Sequence, residues 1–122
     1  YFFACYRPQN GLPTPMFDPV TGDIDSEVAK TWEKYDFKKY AQANWETLGP
    51  KLQGKVFVWM GDMDNFYLNQ ATRELHKFLE STSNPKSDAD IQFTATEGHC
   101  SIYNDKDVLL QIQKKINSRN GR

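Results

Sequence analysis

The strongest strand signal in the chain is Lys55-Val56-Phe57-Val58-Trp59-Met60, in which the apolar residues run continuously. A short continuous apolar run is typical of a parallel strand that helices cover on both faces. Directly after it comes the polar cluster Gly61-Asp62-Met63-Asp64-Asn65. We therefore predict a buried parallel strand whose carboxyl end carries carboxylate side chains.

Strand and helix signals alternate outward from this run. Apolar residues recur at helical spacing over residues 68–81 and again over residues 107–116, which predicts two amphipathic helices. Residues 91–96 alternate as a strand does, and residues 1–6 are apolar and aromatic and indicate a first strand. This order predicts the α/β class: a three-layer α/β/α arrangement of about three parallel strands, joined by right-handed crossovers.

Residues 7–50, between the first two predicted strands, begin with an irregular stretch rich in Pro and Gly. Ser26 is predicted to cap a short helix that has Glu27 in its first turn and reaches residue 35. A second short helix is predicted at about residues 40–48, closed by Gly49-Pro50. The irregular stretch covers residues 7–25, and a loop of that length inside a compact domain is typical of a lid or a pocket wall. Four aromatic residues are candidates for lining an acyl or aryl pocket, with burial in a core as the other interpretation: Phe17, Trp32, Tyr35 and Trp45.

The composition argues against several classes of protein. A formal charge of −1 gives no broad positive field, so nucleic acid and anionic membranes are disfavoured partners. No apolar run approaches the roughly 18 residues of a membrane-spanning helix. Cys5 and Cys100 lie far apart without a CxxC motif, and we expect both to be buried packing residues rather than ligands or a disulfide. No metal or organic cofactor is predicted.

An acid and a histidine each follow a predicted strand. Asp64 follows the strand predicted at residues 55–60, and Glu97-Gly98-His99-Cys100 follows the strand predicted at residues 91–96. The positions of Asp64 and His99 differ by 35. One helix fits that gap, so the strands are expected to be neighbours with both side chains at one edge of the sheet. A carboxylate there can orient an imidazole that removes a proton from a serine.

The sequence alone leaves other interpretations of these residues open. Asp62 could be the acid instead of Asp64, and either carboxylate could simply cap the loop. Asp62 and Asp64 at a strand end also resemble the nucleophile motif of haloacid-dehalogenase-type phosphatases. That motif needs a hydroxyl or small β-branched residue shortly after the second Asp, and Asn65-Phe66-Tyr67 follows here, so the fit is poor. A divalent cation held with His99 would lack a closed ligand set. His76 is predicted to lie on the solvated face of its helix.

The segment Gly61-Asp62-Met63-Asp64-Asn65-Phe66-Tyr67-Leu68 resembles the G-x-x-D-x-x-Y-L segment of an esterase family of the α/β-hydrolase superfamily, which includes S-formylglutathione hydrolases and feruloyl-esterase-like enzymes. The resemblance extends back through Met16-Phe17-Asp18, Thr21-Gly22 and Val28-Ala29-Lys30-Thr31-Trp32, and forward to Gly98-His99. It covers most of the chain but only the last three of the usual eight strands.

The resemblance implies that Asp64 is the acid and His99 the base of a catalytic triad in a partial α/β-hydrolase fold. In that family the order along the chain is Ser, then acid, then His. The nucleophile motif GxSxG is missing from these 122 residues, since every serine lacks the glycine frame: Ser26, Ser81, Ser83, Ser87, Ser101 and Ser118. An average helix of about 11–12 residues with short connections would put the missing serine roughly 20 residues before Tyr1.

Two hypotheses follow for the function. In the first, residues 1–122 are the C-terminal part of a serine esterase that acts on a small-molecule ester, and the isolated chain is inactive. In the second, they form a non-catalytic binding or structural module of the α/β class. A three-stranded fragment would expose a sheet edge, so we also expect the isolated chain to self-associate.

Overall fold

The computed structural model describes residues 14–101 and 104–121. The chain divides into two compact units, Tyr1–Ala43 and Asn44–Arg122. The predicted first strand, residues 1–6, and Cys5 lie outside the described residues. The described elements of the first unit are helix α1 (Ser26–Trp32), a 3₁₀ helix (Glu33–Tyr35) and helix α2 (Phe37–Ala43); those of the second are α3 (Trp45–Leu52), β1 (Phe57–Gly61), α4 (Leu68–Ser81), β2 (Asp90–Thr94) and α5 (Asp105–Asn120).

Strands β1 and β2 form a two-stranded parallel sheet in the described part of the chain. The register runs from Phe57 opposite Asp90 to Gly61 opposite Thr94. The two strands are therefore parallel neighbours joined through α4, as the sequence pattern predicted, and the chain is a mixed helix-and-sheet protein compatible with the α/β class. The predicted third strand and the self-association through its edge stay predictions.

Helices α4 and α5 contact opposite faces of this sheet. Phe57 is in register with Asp90, which lies an odd number of residues before Phe93, so the two phenylalanine rings point to opposite faces. The guanidinium carbon of Arg73, from α4, lies 4.1 Å from the centroid of the Phe93 ring. The ammonium of Lys115, from α5, lies 5.2 Å from that of Phe57. Among the described elements, each face of the sheet thus carries one helix.

The side chains of β1 are less buried than their continuous apolar run predicts. Only Gly61 is fully buried among the five residues of the strand, and the others are half-buried. The buried apolar residues of the described chain are few: Val28, Ala41, Leu79 and Ile91. With only one paired edge in the described part of the chain, β1 has less neighbouring surface than the middle strand of a wide sheet. None of the described helices is long and apolar enough to cross a lipid bilayer.

In the first unit, a turn and a cap precede α1. The Asp18 carboxylate accepts hydrogen bonds from the backbone N–H groups of Val20 and Thr21, at 2.7 and 3.0 Å, and these bonds hold its pKa below the usual range. The predicted cap at Ser26 is wrong by one residue. Asp25 is extended, and its carboxylate accepts the N–H groups at the second and third helical positions, whereas Ser26 is already helical.

The predicted helix over residues 40–48 is also wrong in its bounds. Two helices, α2 and α3, cover this region and are separated at Asn44, and Gly49 and Pro50 lie inside α3 rather than ending it. Gly49 is buried, and a Cβ there would lie 2.8 Å from the Trp45 side chain and 2.9 Å from that of Pro85. Close packing, and not helix termination, is therefore the reason for a glycine at this position.

Candidate active site

The loops that follow β1 and β2 are joined backbone to backbone. The N–H of Asp62 donates to the carbonyl of Thr94 at 2.9 Å, and the N–H of Met63 donates to that of Glu97 at 3.0 Å. Gly61 permits this approach, because a Cβ at that position would lie 2.2 Å from the Glu97 carbonyl oxygen. Backbone hydrogen bonds alone therefore hold the two strand ends in contact.

Asp64 and His99 meet where these loops join. Nδ1 of His99 and Oδ2 of Asp64 are 2.8 Å apart. The Asp64 side chain is 2% exposed, whereas that of His99 is 35% exposed. The structure thus brings together the two residues predicted from the sequence, as a buried carboxylate behind an imidazole that reaches solvent.

Hydrogen bonds keep the Asp64 carboxyl ionised in spite of its burial. Burial alone would raise the pKa of Asp64, but the hydrogen bond with His99 and that from the Phe66 N–H to Oδ1, at 2.7 Å, lower it. The charge of His99 and the N–H of Leu68 act in the same direction, so the pKa of Asp64 lies below its ordinary value. Asp64 is therefore a carboxylate rather than a carboxylic acid.

The ionised carboxylate determines which nitrogen of His99 carries the proton. A carboxylate only accepts hydrogen bonds, so Nδ1–H must donate to Asp64 Oδ2. In the neutral ring, Nε2 then carries the lone pair. Among the residues that the structure describes, Nε2 has no hydrogen-bond partner. This arrangement leaves Nε2 of His99 able to accept a proton, which is what a general base requires.

Phe66 is a further member of the site that the sequence analysis did not single out. Its ring packs edge to face against the imidazole of His99, with the centroids 4.6 Å apart, while its N–H donates to Asp64. Phe66 therefore contacts both members of the pair. The only signal in the sequence was its position two residues after Asp64, which is the spacing of a carboxylate that accepts a nearby backbone N–H.

Asp62 is engaged elsewhere. Both of its carboxylate oxygens accept hydrogen bonds from the Arg73 guanidinium, whose carbon also lies over the Phe93 ring. The backbone carbonyl of Asp62 accepts the Asn69 side-chain amide at 2.8 Å. Asp62 thus ties the loop to α4, and Asp64 is the carboxylate that faces His99.

Other residues lie differently from the sequence-based predictions. Cys100, expected to be buried, is an exposed free thiol with a left-handed backbone (φ 56°), because it forms part of the turn after His99. His76, expected on a solvated face, is half-buried, with its ring 5.9 Å from that of Phe93. The described residues contain no group of three or more His, Cys, Asp or Glu side chains that could hold a metal ion.

The four aromatic candidates for a pocket wall divide between the two units. Trp32 and Tyr35 line the same groove, of about 370 Å³, in the first unit. Trp45 belongs to the second unit, where its indole N–H donates to the Pro85 carbonyl at 3.0 Å and its ring meets Phe78 edge to face. Trp45 is therefore a packing residue.

No protein-family model, curated protein or solved structure matches this chain.

Proposed function

We propose that Asp64 and His99 are the acid and the base of a serine-esterase triad, whose nucleophile lies outside these 122 residues. Residues 1–122 would then form the C-terminal part of an α/β-hydrolase fold. The substrate class is a small carboxylic ester. The resemblance of the segment from Gly61 to Leu68 to the esterase family agrees with this assignment.

One observation carries the proposal. A buried, ionised carboxylate accepts a 2.8 Å hydrogen bond from Nδ1 of an imidazole whose other nitrogen is free, at the carboxyl ends of two neighbouring parallel strands. Carboxyl ends of parallel strands are where open α/β sheets carry their reacting groups. The order of acid before histidine along the chain also fits the triad of this superfamily.

Each residue has a defined role in this mechanism. Nε2 of His99 accepts the hydroxyl proton as a serine oxygen attacks the ester carbonyl, and the resulting imidazolium donates that proton to the departing alcohol. The acyl-enzyme is then hydrolysed by water, with His99 again acting as the base. Asp64 holds the tautomer and stabilises the imidazolium through its buried negative charge.

The test is ester hydrolysis by the full-length protein that contains this chain. With p-nitrophenyl acetate as the substrate, we expect a burst of p-nitrophenol from acylation, followed by slower turnover. His99→Ala should abolish both phases. His76→Ala is the matched control, since the other histidine of the chain lies on α4 and contacts Phe93, and it should leave turnover within about twofold. Equal activity of wild type and His99→Ala would refute the proposal.

A full-length protein without esterase activity would instead favour the non-catalytic module. The Asp64–His99 hydrogen bond would then serve to hold the two loops together. In that case His99→Ala should lower the melting temperature and leave ligand binding elsewhere on the protein unchanged.

A further inference from the structure

A second candidate site lies at the other end of the sheet. A groove of about 290 Å³ runs between α5 and the turn that leads into β1, and all of its lining belongs to the second unit. Phe57, Ile112 and Ile116 give it an apolar floor, and Lys55 and Lys115 stand beside them. The two isoleucines are half exposed, so the described part of the chain leaves this floor open to solvent.

The two lysines bring positive charge that the described residues do not neutralise. Lys115 contacts the Phe57 ring, and neither Lys55 nor Lys115 forms an ion pair with another described residue. Lys77 on α4, by contrast, pairs with Glu74 at 2.7 Å. Two ammonium groups therefore lie beside an apolar surface without a carboxylate partner among the described residues.

The carboxylates near this end of the sheet already have donors. Both oxygens of Asp88 accept the Gly54 N–H, at 2.8 and 2.9 Å. Asp90 accepts the side-chain amides of Gln92 at 3.1 Å and Gln111 at 3.5 Å. Neither carboxylate is within ion-pair distance of Lys55 or Lys115, so neither one neutralises these two ammonium groups.

The groove is separate from the Asp64–His99 pair. Phe57 is the first residue of β1, and Gly61, its last, precedes the loop that carries Asp64. At roughly 3.3 Å per residue, the strand places about 13 Å between them. A molecule in the groove therefore does not touch the reacting nitrogen of His99.

We propose that this groove binds a small amphiphilic anion, a carboxylate carried on an apolar chain of several carbons. The head group lies between Lys55 and Lys115, where charge-assisted hydrogen bonds replace its hydration. The chain covers Ile112 and Ile116 and removes their apolar surface from water. The volume of about 290 Å³ is at the small end of the range for ligand sites, about 300–1,000 Å³, so the chain is short.

The experiment is a titration of the ¹⁵N-labelled full-length protein with octanoate, with 1-octanol as the neutral match of similar length. We expect octanoate to shift the amide signals of Gly54 and Gln111, with a Kd at least about tenfold lower than that of 1-octanol. The double variant Lys55→Gln/Lys115→Gln should raise the octanoate Kd by about tenfold, because exposed charge pairs contribute modestly. Lys77→Gln should leave it unchanged.

Three results would overturn the proposal. They are equal affinities for octanoate and 1-octanol, octanoate shifts centred on His99 instead of Gly54, and an unchanged octanoate Kd in the folded double variant. The first two are measured on the wild-type protein and need no variant to fold. His99→Ala should keep octanoate binding. The groove proposal and the esterase proposal can therefore fail independently of each other.

Discussion

Replacing Gly61 by Ala should separate the loops that carry Asp64 and His99. A Cβ at residue 61 would lie 2.2 Å from the Glu97 carbonyl oxygen and 2.4 Å from that of Gly98, whereas ordinary contact begins at 3.4 Å. The backbone segments must therefore part by about 1.2 Å, the difference between 3.4 and 2.2 Å. The clashing atoms are backbone atoms, so no side-chain rotation relieves the contact.

This separation of the two loops is large enough to break the hydrogen bond between Asp64 and His99. If Asp64 and His99 follow their loops, the distance from Oδ2 to Nδ1 grows from 2.8 Å to about 4.0 Å, beyond hydrogen-bond reach. If the pair catalyses ester hydrolysis as proposed, a misplacement of about 1 Å costs roughly 10²-fold in rate. Overpacking of this kind also destabilises a fold by about 1–3 kcal/mol. We expect Gly61→Ala to show both losses.

Three readouts of Gly61→Ala separate structure from catalysis. These are the free energy of unfolding in urea, the proton resonance of His99 Nδ1–H, and kcat on p-nitrophenyl acetate in the full-length protein. Gly98→Ala is the matched control, because a Cβ there would meet only the Met63 carbonyl oxygen, at 4.0 Å. Wild-type stability and an unshifted Nδ1–H resonance in Gly61→Ala would show that a Cβ at residue 61 does not separate the two loops.

Three further predictions concern single carboxylates. Asp64→Asn should lower kcat by about 10⁴-fold, since an amide cannot stabilise the imidazolium. Asp62→Asn loses only a partly exposed ion pair with Arg73 and should change kcat by less than about threefold. Equal kcat values for the two variants in steady-state kinetics would contradict this prediction. Because the pKa of Asp64 is lowered on folding, the stability it confers is full above its unfolded value, near 3.8, and is lost as the pH falls through the folded value. The melting-temperature difference between wild type and Asp64→Asn should therefore shrink below pH 4, and a constant difference from pH 3 to 7 would contradict the assignment. Asp25→Ala should destabilise the protein by about 1 kcal/mol in urea, with Ser26→Ala nearly neutral, and the reverse ranking would restore Ser26 as the cap.

The elements predicted best are those whose own periodicity specifies them. Residues 68–81 were predicted as a helix, and α4 spans Leu68–Ser81, because its apolar residues recur strictly on one face. The parallel pairing of β1 and β2 also followed from one intervening helix. The bounds of α3 could not be predicted, since Gly49 packs against Pro85, a contact across 36 positions that no local pattern records.

The site was predictable as residue types and positions, but not as contacts. Asp64 and His99 follow from two strand ends, yet the sequence alone left Asp62 as an alternative. What separates the two carboxylates is the guanidinium of Arg73, which binds Asp62 only once α4 has packed against the sheet. The ring contact of Phe66 with His99 likewise exists only in three dimensions.

We propose that His99, oriented by Asp64, activates a serine outside these 122 residues. The most direct test is to react the full-length protein with a fluorophosphonate probe and locate the adduct by mass spectrometry. Under this proposal, we expect one modified serine, outside residues 1–122, in wild type and almost none in His99→Ala. No serine adduct in the wild type, or equal labelling of the His99→Ala variant, would contradict it.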